Sequence, residues 1–105
     1  MPVRDQFLTI PVEEISHFRS EHKNTYLVTH EMRKHAINDA LEDLENELDP
    51  SLFFRVNRQY LVAYRSIAAV HSFFSGKLRA YLRGSSEEVM VSRERAVKFK
   101  QWLDR

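Results

Sequence analysis

Cysteine is absent from this chain, which excludes a disulfide framework and every cysteine-ligated zinc or iron-sulfur site; the absence fits a reducing, cytoplasmic setting. Glycine is nearly absent too. With only Gly76 and Gly84 available, no phosphate-cradling loop of the P-loop or dinucleotide type can be written, so nucleotide-cofactor enzymes are set aside. His17, His22, His30, His35 and His71 show no helical metal-ligand spacing, and no serine sits in a Gly-x-Ser-x-Gly elbow. There is no apolar run near the length that spans a bilayer, and Met1 to Asp5 has no hydrophobic signal core behind it. The expectation is a soluble protein that is no enzyme and has no metal, cofactor or membrane contact.

What the chain does have is charge divided along its length. Residues 1–52 hold five Lys/Arg against eleven Asp/Glu, a balance of −6, whereas residues 53–105 hold eleven Lys/Arg against four acids, a balance of +7. The net +1 hides this asymmetry, which points to a polyanionic partner if the two signs segregate on the folded surface. At 105 residues and 43% apolar, the chain fits a single domain that buries roughly two thirds of its unfolded surface.

The most informative segment is Phe53-Phe54-Arg55-Val56-Asn57-Arg58-Gln59-Tyr60-Leu61-Val62. Strict alternation would set Arg58 on the same face as Phe54, Val56, Tyr60 and Val62, where an unpaired guanidinium is costly to desolvate. The strand is therefore expected to break at Asn57-Arg58-Gln59. A turn or bulge there projects a basic fork and two amides from one corner, groups suited to phosphate oxygens and base edges. In the plainer reading, Arg55 and Arg58 only guard a sheet edge from pairing with another chain.

Elsewhere the pattern is mostly β. Short extended pieces are expected over Phe7 to Val12 and Glu13 to Arg19, a polar loop over Ser20 to Asn24, and strands over Thr25 to Thr29 and Lys34 to Ile37. Asn38 is the expected N-cap of a helix with Leu41, Leu44 and Leu48 on one stripe, stopped by Pro50. Its remaining faces are acidic, so it is expected on the side of the domain opposite any phosphate backbone. Strands follow over Ile67 to Phe74, Leu78 to Leu82 and Val89 to Val91, with turns at Ser75-Gly76-Lys77 and Gly84-Ser85-Ser86. Ser92 opens a last helix, Arg93 to Leu103, with Ala96, Phe99 and Leu103 inward and Trp102 beside them. Arg93 opposes the dipole of that helix, and a residue placed against local preference is a candidate for function.

The Phe53 to Val62 block, Ile67 after it, and Val91-Ser92-Arg93 just before the last helix resemble the signature blocks of the LytTR-type DNA-binding domain. The upstream Ile15 to Val28 segment and Asn38 to Glu45, in the place of the family's short helix, extend the likeness across nearly the whole chain. Ala63 departs from the family, which commonly has asparagine there. The resemblance implies a mostly β (α+β) domain, an elongated arrangement of small antiparallel sheets with a short acidic helix and a C-terminal helix. It implies duplex DNA as partner, bound through loops that read direct repeats in successive major grooves, as a dimer on DNA. It also implies that the domain is the cytoplasmic output unit of a bacterial response regulator, joined to an N-terminal phospho-receiver outside these residues.

Carried onto this sequence, the contact loops fall at Lys23, Asn24 and Thr25, at Asn57 and Arg58, and at Arg93. Arg55, Gln59 and Arg95 complete the expected DNA-binding set. A protein-interaction module with a basic face for an acidic partner, or a small β domain for single-stranded RNA, remain open. An exposed Tyr81 beside Arg79 favours single strands, whereas Arg58 and Arg93 on one ridge favour duplex DNA.

Overall fold

Runs of β-branched and aromatic residues set the architecture. The computed structural model describes residues 3–5 and 8–104, with side chains from residue 10 onward, so the expectation for Phe7 lies outside the described residues. Strands β1 (Val3–Asp5) and β2 (Leu8–Ile10) form a small antiparallel pair. The chain then makes a 3-10 turn over Val12–Glu14, where an extended piece was expected. Pro11, with φ −60°, starts that turn, and both its acids sit at the favourable N-terminal end.

A five-stranded sheet follows, made of β3 (Ile15–Glu21), β4 (Asn24–Thr29), β5 (Lys34–Ile37), β6 (Phe53–Arg55) and β7 (Tyr60–Ala63), in the order β5-β4-β3-β7-β6. A three-stranded sheet, in the order β10-β9-β8, is built from β8 (Ile67–Ser72), β9 (Leu78–Leu82) and β10 (Glu88–Val91). All strand pairs are antiparallel, and the molecule measures 42 × 28 × 24 Å along its principal axes.

Strands β6 and β7 explain how two sheets become one body. On one face, Phe53, Leu61 and Ala63 join Ile15, Phe18 and Leu27 under helix α1 (Leu41–Glu47). On the other, Phe54, Val56, Tyr60 and Val62 join β9, β10 and Ala96 and Phe99 of helix α2 (Arg93–Leu103). Period-two alternation thus feeds two cores from one hairpin. Trp102 seals the seam: its indole lies 5.3 Å from the Phe54 ring and donates from Nε1 to the Pro50 carbonyl at 2.9 Å.

Three local expectations are corrected. Ala40, not Asn38, is the N-cap residue of α1, and no side chain caps it; Ile37 is buried in β5, so Asn38 to Ala40 are spent leading the chain away from the sheet. The polar loop after β3 is shorter than expected, because Ser20, Glu21 and Asn24 all pair as strand residues and only His22-Lys23 turn. The acidic helix is also not remote from the basic segment. Arg55 on β6 reaches Glu45 at 3.2 Å and Glu42 at 3.5 Å, because it shares the β6 face on which α1 packs.

His17 shows what the sheet interface demands of a titratable group. It is 2% exposed, shares a 2.9 Å hydrogen bond with Ser16 Oγ through Nδ1, and lies 5.6 Å from the Tyr60 ring. Burial first, then the charges of Arg19 and His30, lower its pKa from 6.5 to about 4. The unfolded chain therefore takes up a proton near pH 6.5 that the native protein refuses until about pH 4. Stability from the neutral imidazole is complete above pH 6.5 and is lost as pH falls toward 4, by about 3 kcal/mol over the window. In urea titrations between pH 7 and 4.5, His17→Gln should flatten this part of the slope. An unchanged slope in that variant would assign the pH dependence to other groups.

Candidate nucleic-acid interface

Three loops far apart in sequence are held against one another by backbone hydrogen bonds. The β6–β7 hairpin breaks at Asn57-Arg58-Gln59 and closes through Val56 N–H to the Tyr60 carbonyl at 3.1 Å. Ser20 N–H, near the tip of the β3–β4 hairpin, donates to the Gln59 carbonyl at 2.8 Å. Ser92 N–H, at the start of α2, donates to the Val56 carbonyl at 3.1 Å. Neither bond could be read from sequence, since amide donors carry no sequence signal.

Asn57 organises the corner. Its Oδ1 accepts from the N–H groups of Gln59 at 2.7 Å and Tyr60 at 2.9 Å, while Nδ2 donates to the Met90 carbonyl. An asparagine satisfies this loop because one short side chain carries both an acceptor with two lone pairs and a donor. Arg55 supports the loop from below. Although 9% exposed, it donates from Nε to the Asn57 carbonyl at 2.8 Å and from Nη2 to the Arg58 carbonyl at 2.7 Å, with Glu45 neutralising it from α1. Arg95 Nη1 donates to the Arg55 carbonyl at 3.0 Å and ties α2 to the same strand. The polar groups of Arg55, Asn57 and Arg95 are thus largely turned inward, and Thr25 is a buried strand residue paired with Ser20 and Ile37.

The groups that face outward are different members of the expected set. Lys23, Asn24, Arg58, Gln59 and Arg93 are exposed, and among the described residues the side chains of Lys23, Arg58 and Arg93 make no ion pair or hydrogen bond. Arg58, Gln59, Asn57, Ser92, Glu94 and Arg95 line one open cleft between the hairpin loop and the helix start. Glu94 makes that cleft a poor seat for a phosphate and a better one for a base edge. His22 and Lys23 both adopt left-handed backbone, with φ 51° and 69°, where glycine or asparagine is favoured. A two-residue turn built from disfavoured residues is held there by the strands around it and marks the tip as a functional candidate.

The sequence reading missed the β8–β9 turn as part of this corner. A Cβ placed on Gly76 would lie 3.1 Å from Cγ of Arg93, so the turn rests on the stem of that arginine. The available signal was the pair Phe73-Phe74 directly before a Ser-Gly turn, an apolar load placed where chain reversal needs none. Tyr81, the expected stacking platform for single strands, is half-buried and engaged: its hydroxyl bonds Glu88 at 3.1 Å and its ring packs edge-on with His71 at 5.3 Å. Among the described residues no group of His, Asp and Glu could hold a metal, and no helix is long and apolar enough to cross a membrane.

A search of curated proteins found no match. Among solved structures the chain is similar to the LytTr DNA-binding domain of a Bacillus cereus protein described as a methyl-accepting/DNA response regulator. The TM-score is 0.85 at 20% identity, covering 100% of this chain and 96% of that one, which is a likeness of fold. The family model of the LytTr DNA-binding domain matches residues 5–104, from the first strand through the last helix and across all three loops. On that match, this chain belongs to the LytTr DNA-binding domain family.

Proposed function

We propose that residues 1–105 act as one unit that binds duplex DNA sequence-specifically, as the output domain of a bacterial transcriptional response regulator. One observation carries the reading: exposed cations without an ion pair or hydrogen bond among the described residues, Lys23, Arg58 and Arg93, crown three loops that the fold fastens together. Family membership supports the choice of DNA as the polyanion. In this reading Arg58 and Arg93 contact base edges, with Gln59 beside them, and Lys23 and Asn24 engage the neighbouring backbone or groove. Arg55, Asn57 and Arg95 belong to the set by fixing the loop that presents the others, and Thr25 by anchoring the hairpin. The domain reads direct repeats through successive major grooves, two copies lying on one operator, and an N-terminal phospho-receiver domain controls it.

Selection of sites from random duplex DNA, followed by affinity measurement over a salt series, tests the proposal. If four to six phosphates are neutralised, log K should fall against log salt with a slope of about −4 to −5. A flat response, or no enriched sequence, would favour a protein partner for the basic face.

A further inference from the structure

The β8–β9 turn carries an exposure that folding does not explain. Phe74 is a large aromatic residue 75% exposed at the tip of a turn closed by Phe73 N–H to the Lys77 carbonyl at 2.9 Å. Two consecutive left-handed residues, Ser75 at φ 65° and Gly76 at φ 76°, hold the reversal, and Ser75 does so against its own preference. Phe73 is the structural member of the pair: it is half-buried, with the Arg79 guanidinium 4.2 Å over its ring. Phe74 touches that ring at 4.6 Å and otherwise projects into solvent. The turn abuts Arg93, since the Arg93 side-chain stem stands within 3.3 Å of where a Cβ on Gly76 would be.

We infer that Phe74 is a specificity-determining residue that packs on the 5-methyl group of a thymine beside the base contacted by Arg93. This rests on the duplex-DNA reading above. If Arg93 enters a major groove, the turn that abuts its stem carries Phe74 to the same groove or its rim. The one apolar group displayed on that groove floor is the thymine methyl, and phenylalanine is among the side chains that contact it. A phenylalanine on a closed turn suits this better than a long aliphatic chain, because its ring has only two side-chain torsions to order on contact. Lys77, exposed on the same turn, is placed to meet the adjacent phosphate.

The test pairs a protein change with a DNA change of one methyl group. On the selected cognate duplex, each thymine is replaced in turn by deoxyuridine, and affinity is measured for the parent protein and for Phe74→Ala. The parent should lose roughly fourfold at one position, the value of one buried methyl. Phe74→Ala should lose at least as much on the all-thymine duplex and then be indifferent to deoxyuridine at that position. Thermal denaturation should leave Phe74→Ala close to the parent, as the removed ring is mostly in water, whereas Phe73→Ala should melt lower. Parent and variant sharing the same deoxyuridine profile overturns the inference. So does a loss in Phe74→Ala that is equal for cognate and random duplex. If the parent enriches no DNA site at all, the duplex-DNA reading itself fails, an outcome distinct from either.

Discussion

Arg58→Ala and Arg93→Ala should each weaken binding to a cognate duplex by about 1–3 kcal/mol while changing random-duplex binding much less, because a lost base contact erodes discrimination. Both side chains are exposed, and among the described residues neither makes a hydrogen bond or an ion pair. Arg93 sits at the N-terminal end of α2, where the helix dipole disfavours a cation, so its removal should if anything help the helix. Arg79 is the control of identical chemistry. It lies over Phe73 and 3.5 Å from Glu88, paired with Met90 in the regular β9–β10 ladder, and Arg79→Ala should leave discrimination intact. Affinities of the three variants for cognate and random duplex, at one salt concentration, separate the roles. Full discrimination in the Arg58 and Arg93 variants, with parental melting, would remove both from direct readout.

Much of this arrangement was legible in the sequence because it follows from costs that a linear reading can detect. The break at Asn57-Arg58-Gln59 came from the expense of burying Arg58 among Phe54, Val56, Tyr60 and Val62, and the hairpin does turn there. The leucine stripe of α1 and the Ala96-Phe99 stripe of α2 were visible as periodicity, and both are core. What sequence could not supply is direction. Arg55 and Arg58 are three residues apart and equally basic, yet Arg55 shares the Phe53, Leu61 and Ala63 face that packs under α1, and only pairing register reveals this. The inward turn of Asn57 was hidden for a similar reason, since its donor is satisfied by Met90, 33 residues away. The acidic helix was read as a solvated face to be kept far from the basic loop. In the fold, its first turns instead supply the counter-charge that lets Arg55 stay under that loop.

That inward arginine leads to the largest expected effect on the molecule itself. Arg55→Ala removes donors from two carbonyls, those of Asn57 and Arg58, and removes the charge facing Glu45 and Glu42. Because both glutamates reach water, the ion pairs contribute little, and the charged hydrogen bonds to the carbonyls dominate a loss of about 2–3 kcal/mol. Lysine should not restore it, since one ammonium lacks the planar fork that spans two carbonyls and a carboxylate. Glu45→Gln should cost under about 1 kcal/mol, and Glu47→Gln, exposed and outside this network, should be neutral. The effect should extend to DNA. With its support gone, the loop that carries Arg58 and Gln59 must be ordered on binding, so affinity should fall more than tenfold even at temperatures where the variant is folded. Amide exchange reports this directly, because the N–H groups of Gln59 and Tyr60 are held by Asn57 Oδ1. In Arg55→Ala they should exchange far faster than those of the paired strand residues Leu61 and Val62. If those two amides stay protected and the variant melts with the parent, Arg55 does not hold the loop, and its weight in recognition must lie in a contact of its own.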